Sequence, residues 1–149
     1  MTALSTVTPA AAHVGIDPRG PRFGAAVTTV VLSLALLLAS PVLLAAQAVA
    51  FAVGALAGPS RQPYGLLYRH LVRPRLGPPQ HLESPEGPRF AQACGLAFAL
   101  VGLIGFGVGA AWLGLVATGF ALAAAFLNAA FDFCLGCEIY LRVARLRGR

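Results

Sequence analysis

The chain alternates two long apolar blocks with short segments that carry all of its charges. No charged residue occurs from Gly24 to Pro59 or from Ala91 to Phe131. A bilayer core about 30 Å thick is crossed by roughly 20 helical residues, and the second block is about twice that long. The pattern therefore predicts two membrane-spanning helices in each block, folded as a hairpin.

The turns of the two hairpins are marked by residues that interrupt a helix. Ser40-Pro41 breaks the first block, because proline suits the first turn of the helix that follows. Three glycines ahead of Trp112 mark the second turn and place that indole at an interface. We predict helices at about 24–39, 42–58, 90–109 and 112–134, a flexible cytoplasmic tail over 1–19 and a cytoplasmic loop over 59–89. Residues 20–149 then form one integral membrane domain.

The amino-acid composition agrees with an integral membrane protein. Hydrophobic residues make up 58% of the sequence and charged residues only 11%. A soluble core of this size could not bury so much apolar surface. The fold class predicted is all-α: four transmembrane helices in two tandem hairpins, with short interfacial helices.

The arginines predict the orientation of the helices. All eleven basic residues are arginine against five acids, and neither hairpin turn contains one. By the positive-inside rule both termini and the central segment are cytoplasmic. The same rule explains the net charge of +6 without a nucleic-acid partner. Tyr64, Tyr68 and Tyr140, near basic residues, are expected as interface anchors.

A short motif is repeated ahead of each hairpin. GPRF occurs at Gly20 to Phe23 and again at Gly87 to Phe90. The segments after the hairpins, PYGLLYRHLVR and CLGCEIYLRVAR, match more loosely. This pattern favours a duplication, with two halves that point the same way about a pseudo-twofold axis along the membrane normal. The alternative is a repeated helix-start signal, with proline ahead of the helix and arginine anchoring it.

Cys134 and Cys137 form a C-x-x-C where the last apolar block ends. At the carboxyl end of a continuous helix, the helix dipole would disfavour a thiolate. Gly136, however, can end the membrane helix, and EIYLRVARLR then begins an amphipathic basic helix along the headgroups. Cys137 would lie at the amino terminus of that helix, where a thiolate is favoured, and would be the nucleophile with Cys134 as its partner.

Three interpretations of the cysteine pair stay open. The first is a redox or sulfur-carrying dithiol, with Cys134 and Cys137 as the reacting residues. The second is a metal site with Cys94 as a third ligand, which is weaker because zinc usually takes four ligands. The third is simple packing. No cofactor is predicted.

Polar residues inside the apolar blocks need partners, because an unpaired polar group in hydrocarbon is unfavourable. Asn128 and Asp132 are four residues apart and would share one helix face, which could line a path for a small solute. In the structural alternative, Asp132 lies near the interface and reaches water or pairs with an arginine such as Arg22 or Arg89. Others of this kind are Ser33, Gln47, Gln92 and Thr118.

Two G-x-x-x-G pairs, Gly54/Gly58 and Gly105/Gly109, are expected to let helices approach closely. Tight packing within the four-helix domain is the first interpretation of these pairs. A homodimer is the further one.

Four stretches carry a family resemblance: IDPRGPRF, PYGLLYRHLVRPRLGPP, GPRFAQACGLAFAL and FLNAAFDFCLGCEIY. Together they resemble the bacterial membrane family DUF4395, a domain of unknown function, over nearly the whole chain after the amino-terminal tail. The resemblance implies a small four-helix protein of the bacterial cytoplasmic membrane. Members are often encoded near thioredoxin-like and rhodanese-type sulfurtransferase proteins, which implies thiol or sulfur handling at Cys134 and Cys137.

The function predicted is a thiol or sulfur relay that works with a thioredoxin-like or rhodanese-type cytoplasmic protein. A small-solute channel or carrier through Asn128 and Asp132 is the alternative, and a non-catalytic membrane scaffold is the third. The sequence contains no nucleophile elbow, phosphate loop or suitably paired carboxylates. An enzyme acting on its own is therefore not expected.

Overall fold

A computed structural model describes residues 15–148, and the described chain is helical almost throughout. Four long helices are α1 (Arg19–Leu37), α2 (Pro41–Ala57), α4 (Glu86–Gly107) and α5 (Ala111–Phe131). Two shorter helices follow the hairpins: α3 (Pro63–Leu67), which continues as a π-helical turn and a 3-10 turn to Arg75, and α6 (Leu135–Arg147). The all-helical class is confirmed.

Three of the long helices are long and apolar enough to cross a membrane. These are α1, α4 and α5, whereas α2 is equally apolar but has 17 residues. The chain therefore has the helices of a multi-pass membrane protein.

The GPRF segments form the first turns of α1 and α4, and this differs from the prediction. The two helices begin at Arg19 and Glu86 rather than near residues 24 and 90. Pro21 and Pro88 fit there because the first N–H groups of a helix have no partner within it, so a missing N–H loses nothing. Proline thus lies inside each helix start and not ahead of it.

The two hairpin turns lie where the sequence predicts them. Ser40 caps α2 by accepting a hydrogen bond from the Leu43 N–H at 3.3 Å, and Pro41 is the first residue of that helix. In the second turn Gly109 has a φ of 81°, a conformation that favours glycine, and α5 starts two residues later. Trp112 follows in the first turn of α5 and is 68% exposed.

The long helices pack as an antiparallel bundle with small residues inside and large ones outside. Both α1 and α4 pack against α2 and α5. Among the described residues, the buried core combines Leu32, Leu44 and Phe51 with alanines and glycines. The outer surface exposes large apolar side chains, as expected where lipid is the solvent and close packing holds the helices together. Examples are Leu37, Val42, Leu56, Ile104, Val108 and Phe120.

Only one glycine of each G-x-x-x-G pair packs against another helix. A Cβ atom on Gly54 would lie 2.8 Å from Cγ of Gln92, and one on Gly105 would lie 2.7 Å from the backbone nitrogen of Gly114. Gly58 and Gly109 face open space and have positive φ angles, so they serve as turns. Close packing inside the bundle is confirmed at Gly54 and Gly105, and a homodimer stays a prediction.

The chain ahead of α1 is docked against the central loop from Ile16 onward. Ile16 and Glu83 exchange two backbone hydrogen bonds of 2.8 and 2.9 Å. Residues 15–18 are therefore held in place, although the prediction assigned them to a flexible tail. The rest of that predicted tail, residues 1–14, lies outside the described residues.

Candidate functional site

At one end of the bundle the first turns of α1 and α4 each meet a short helix. We call these contacts the first junction (residues 17–24 and 62–68) and the second junction (residues 86–91 and 132–140). Phe23 packs on Tyr68 in the first, and Phe90 packs on Tyr140 in the second. In both pairs the ring centroids are 5.9 Å apart and the rings are inclined by 44°. The two GPRF segments thus make the same aromatic contact.

The arginine of each GPRF segment binds the end of a helix in the other hairpin. Arg22 Nε donates to the carbonyl of Ala129 near the end of α5, at 3.2 Å. Arg89 donates from Nε and Nη2 to the carbonyls of Ala55 and Leu56 near the end of α2, at 3.1 and 3.2 Å. The last carbonyls of a helix lack partners within it and carry partial negative charge, so a guanidinium suits them.

Asp132 pairs with neither Arg22 nor Arg89, since these arginines bind helix ends. Within residues 15–148 the ion pairs are Arg19–Asp17 and His81–Glu83. Asp132 itself is exposed, which agrees with the other form of its structural alternative, contact with water.

An acidic side chain anchors the tyrosine of the first junction. Asp17 accepts from the Arg19 guanidinium at 2.8 Å and from the Tyr68 hydroxyl at 2.8 Å. The hydrogen bonds from Arg19 lower the pKa of the Asp17 carboxyl to about 2, while burial and Asp17 raise the pKa of Tyr68. Arg19 also donates to the carbonyl of Gly77 at 2.9 Å. This cluster ties α1, α3 and the central loop together.

Polar side chains of the first junction reach into the bundle. The Tyr64 hydroxyl donates to Oε1 of Gln47 at 2.7 Å, and Nε2 of Gln47 donates to the Thr28 hydroxyl at 3.3 Å. Beside them, Gln62 donates to Gln92 at 3.0 Å. Burial raises the pKa of Tyr64.

No buried side-chain nitrogen or oxygen in the described part of the chain lacks a partner. The sequence identified Gln47 and Gln92 as needing partners, but it assigned Tyr64 to the membrane interface. Gln47 lies within an apolar block, so its side-chain oxygen needed a hydrogen-bond donor from elsewhere in the chain. That requirement was the signal in the sequence that could have pointed to Tyr64.

The second junction begins where Asp132 ends α5. The helix stops at Phe131, and Asp132 has a φ of 55°, in the left-handed region that Asp and Asn tolerate best after glycine. The predicted break before α6 is therefore present, but Gly136 does not cause it. Gly136 lies within the first turn of α6, where a Cβ atom would be 2.5 Å from Cα of Ala91. Its absent side chain lets α6 pack directly on α4.

Cys134, and not Cys137, occupies the position that caps α6. Its Sγ accepts a hydrogen bond from the Cys137 N–H at 3.2 Å. The two cysteines are joined as a disulfide, with Cα atoms 5.2 Å apart, a separation that needs no backbone movement. A sulfur at this position faces the free N–H groups and the positive end of the helix dipole, both of which stabilise a thiolate.

The two sulfurs have different surroundings. Cys137 is partly covered by the first turn of α4, where a Cβ atom on buried Gly87 would lie 3.4 Å from its Cβ. Cys134 is half-buried and is flanked by side chains that are 44% and 37% exposed, those of Phe133 and Leu135. Both cysteines are half-buried, and the cap residue lies in a stretch of exposed apolar side chains.

Cys94 does not complete a metal site. It lies within α4 and is half-buried. In residues 15–148 no three His, Cys, Asp or Glu side chains come close enough together to hold a metal ion. The metal interpretation therefore lacks the third ligand that it named.

A tyrosine and an acid also meet at the second junction. The Tyr140 hydroxyl donates to Oε2 of Glu86, and this bond raises the pKa of Tyr140. No arginine pairs with Glu86 among the described residues. Glu138 in the first turn of α6 and Arg145 and Arg147 in the last agree with the prediction.

Asn128 and Asp132 do not share a helix face. Asp132 lies beyond the end of α5, and its N–H donates to the Asn128 carbonyl at 3.1 Å. The core between the helices is filled by side chains such as Leu32, Leu44 and Phe51. The structure therefore gives no support to a solute path through these two residues.

Comparison with known proteins gives one match. The model of the family described as "Domain of unknown function (DUF4395)" matches residues 16–145. No curated protein and no solved structure matches the chain. The match begins at the docked segment ahead of α1 and ends in the last turn of α6, so it includes both junctions.

Proposed function

The chain belongs to the DUF4395 family, and we propose that it is a membrane-embedded dithiol protein that exchanges disulfides, or passes sulfane sulfur, through Cys134 and Cys137. The observation that carries the proposal is the cap of α6, where Cys134 Sγ accepts the Cys137 N–H. Cys134 is the attacking thiol and Cys137 the resolving thiol. This reverses the order expected from the sequence, because α6 starts at Leu135 rather than after Gly136.

The exchange runs in two displacement steps. The Cys134 thiolate attacks one sulfur of a partner disulfide, and the partner's other sulfur leaves as a thiolate. The Cys137 thiolate then attacks Sγ of Cys134, and the second partner sulfur leaves. The partner gains two electrons and becomes a dithiol, while Cys134 and Cys137 become the disulfide. A second dithiol protein must reduce that disulfide to complete the cycle.

Sulfane sulfur would use the same two cysteines. The Cys134 thiolate takes the outer sulfur of a persulfide, and the donor leaves as a thiolate. The sulfur is passed on when an acceptor thiolate attacks the outer sulfur of the Cys134 persulfide and Cys134 leaves as a thiolate. Attack by Cys137 on Cys134 Sγ would instead reduce that sulfur, release it as hydrosulfide and leave the disulfide. A thioredoxin-like protein suits the first chemistry and a rhodanese-type sulfurtransferase the second.

The dithiol would face the cytoplasm of a bacterium from the inner membrane. In this topology α2 is a fourth crossing, because 17 residues reach the lower end of the spanning range of about 17–25 residues. With four crossings, the start of α1 and the end of α5 lie on the same side of the membrane as the two junctions. The arginines of the central loop and of α6 lie on that side too. Duplication of one hairpin unit would account for the matching contacts of the two junctions.

Trapping of mixed disulfides tests the order of the two cysteines. In cells, Cys137→Ser should accumulate a covalent complex that thiol reductants release, because Cys134 can attack but nothing resolves the product. Cys134→Ser is the matched control and should accumulate much less. Both variants are made in a Cys94→Ala background, so that the remaining thiol is the only one in the protein.

The outcomes separate the three functional classes. Equal trapping by both variants would refute the assigned order, and no trapping by either would refute the disulfide exchange. A scaffold predicts that neither cysteine substitution affects function. A solute carrier predicts flux that is lost in Asp132→Asn and retained in Cys134→Ser.

A further inference from the structure

Helix α6 exposes a continuous apolar stripe along one face. Leu135, Ile139, Val143 and Leu146 are spaced three or four residues apart, and they are 37%, 47%, 38% and 75% exposed. A different face of the helix packs on α4, through Gly136 against Ala91 and Tyr140 against Phe90. The stripe is therefore free of the bundle.

The stripe continues the apolar surface of the bundle. Phe131 at the end of α5 is 68% exposed, and Phe133 in the short connection is 44% exposed. These side chains lead directly into Leu135 at the start of α6. Exposed Asp132 is the one charged residue between these side chains. An exposed apolar surface that passes from a membrane helix onto the following helix indicates that the same solvent, lipid, covers both.

Positive charge follows the stripe along α6. Arg142, Arg145 and Arg147 are exposed, and Glu138 is the helix's one acid. An arginine beside an apolar face can bury its methylene stem there and hold its guanidinium at the level of the phosphates. Anionic headgroups complement this charge, and zwitterionic ones do so far less.

We propose that α6 binds anionic phospholipid, with its stripe at the acyl boundary and its three arginines on the headgroup phosphates. An acidic protein surface would match the charge but not the continuity of the stripe with the exposed face of α5. Since Cys134 immediately precedes α6, this binding also holds the cysteine pair at the depth of the headgroups. The proposal does not depend on what the cysteines react with.

Proteolysis in nanodiscs tests the proposal with the full-length protein. Nanodiscs of phosphatidylcholine alone are compared with nanodiscs that also contain phosphatidylglycerol. Chymotrypsin cleavage after Tyr140 and Leu141 is followed by mass spectrometry. We expect slower cleavage within α6 when phosphatidylglycerol is present, and a smaller difference at high salt, where charges are screened. Equal cleavage in the two lipids would overturn the proposal.

Substitutions then assign the effect to α6. Arg142→Gln with Arg145→Gln should reduce the protection by phosphatidylglycerol by roughly fivefold per arginine. Arg61→Gln, at an exposed arginine between α2 and α3, is the matched control and should leave it unchanged. Protection that survives in the double variant would place the lipid elsewhere and refute the assignment. Ile139→Ser with Val143→Ser should speed cleavage in both lipids, because it removes the stripe without changing the charge.

Discussion

The two junctions share the same set of contacts but differ in the residues that start their short helices. Each has a GPRF turn, a Phe–Tyr contact, an acid bound to the tyrosine, and an arginine on the opposite hairpin. At the first junction Gln62 and Tyr64 turn polar groups into the bundle. At the second, Cys134 caps the helix and Gly136 brings it against α4.

The contacts that the two junctions share are structural, whereas the groups that differ between them include the candidate reactive residues. The shared contacts join helices that would otherwise have unpaired ends, so they explain why the motif occurs twice. The polar groups of the first junction are satisfied within it, since its acid is neutralised by Arg19 and its buried amides are hydrogen-bonded. The second junction has a half-buried sulfur pair at a helix start and, among the described residues, an acid without an arginine. Reactive chemistry is therefore expected at the second junction only.

The largest effect is expected from filling the space at Gly136. In Gly136→Ala the new Cβ would meet Cα of Ala91 at 2.5 Å, so α6 must move away from α4. We expect a loss of about 1–3 kcal/mol in the free energy of unfolding, the usual range for overpacking. Thermal unfolding in detergent, followed by circular dichroism, measures it.

A matched control and a parallel substitution sharpen this result. Gly119→Ala, within α5, meets nothing within 4 Å. It should be as stable as the wild type or slightly more stable, because alanine favours a helix over glycine. Gly65→Ala should be destabilising by a similar amount at the first junction, because its Cβ would collide with the Pro59 carbonyl oxygen. If Gly136→Ala were as stable as Gly119→Ala, the close contact between α6 and α4 would be incorrect.

An intermediate effect is expected at the two arginines. Arg89→Gln removes two hydrogen bonds to the end of α2, and Arg22→Gln removes one to the end of α5. Each bond to a charged donor contributes about 1.5 kcal/mol or less at an exposed site. Arg89→Gln should therefore unfold at the lower temperature. The reverse order would contradict the ranking of the two arginines by their number of hydrogen bonds.

The smallest effect is a dependence on pH through Asp17 at the first junction. The pKa of Asp17, about 2, lies below its ordinary value of 3.8. Its contribution to stability is therefore complete above pH 4 and is lost as the pH falls from about 4 to 2. In Asp17→Asn the unfolding temperature should change less over that range than in the wild type. Glu86→Gln at the second junction is the comparison, and an equal change in both variants would contradict the assignment to Asp17.

Part of this architecture could be predicted because it depends on local pattern. The uncharged blocks, Ser40-Pro41 and the glycines before Trp112 placed the helices and their turns to within a few residues. The starts of α1 and α4 were misplaced, because a proline in a first turn has the same sequence signature as a proline ahead of a helix. The break before α6 was predicted, but its cause was assigned to glycine when an aspartate adopts the left-handed conformation.

Hydropathy and charge along the chain were sufficient for the helical class and for the membrane as solvent, because both depend on total apolar surface and on helix length. The C-x-x-C spacing singled out the cysteine pair, whose role stays a prediction. Which cysteine caps α6, which carbonyls Arg22 and Arg89 bind, and where Tyr64 points depend on residues brought together from distant parts of the chain. Those contacts follow from how helices of small residues pack against one another, and a linear pattern contains no record of that packing.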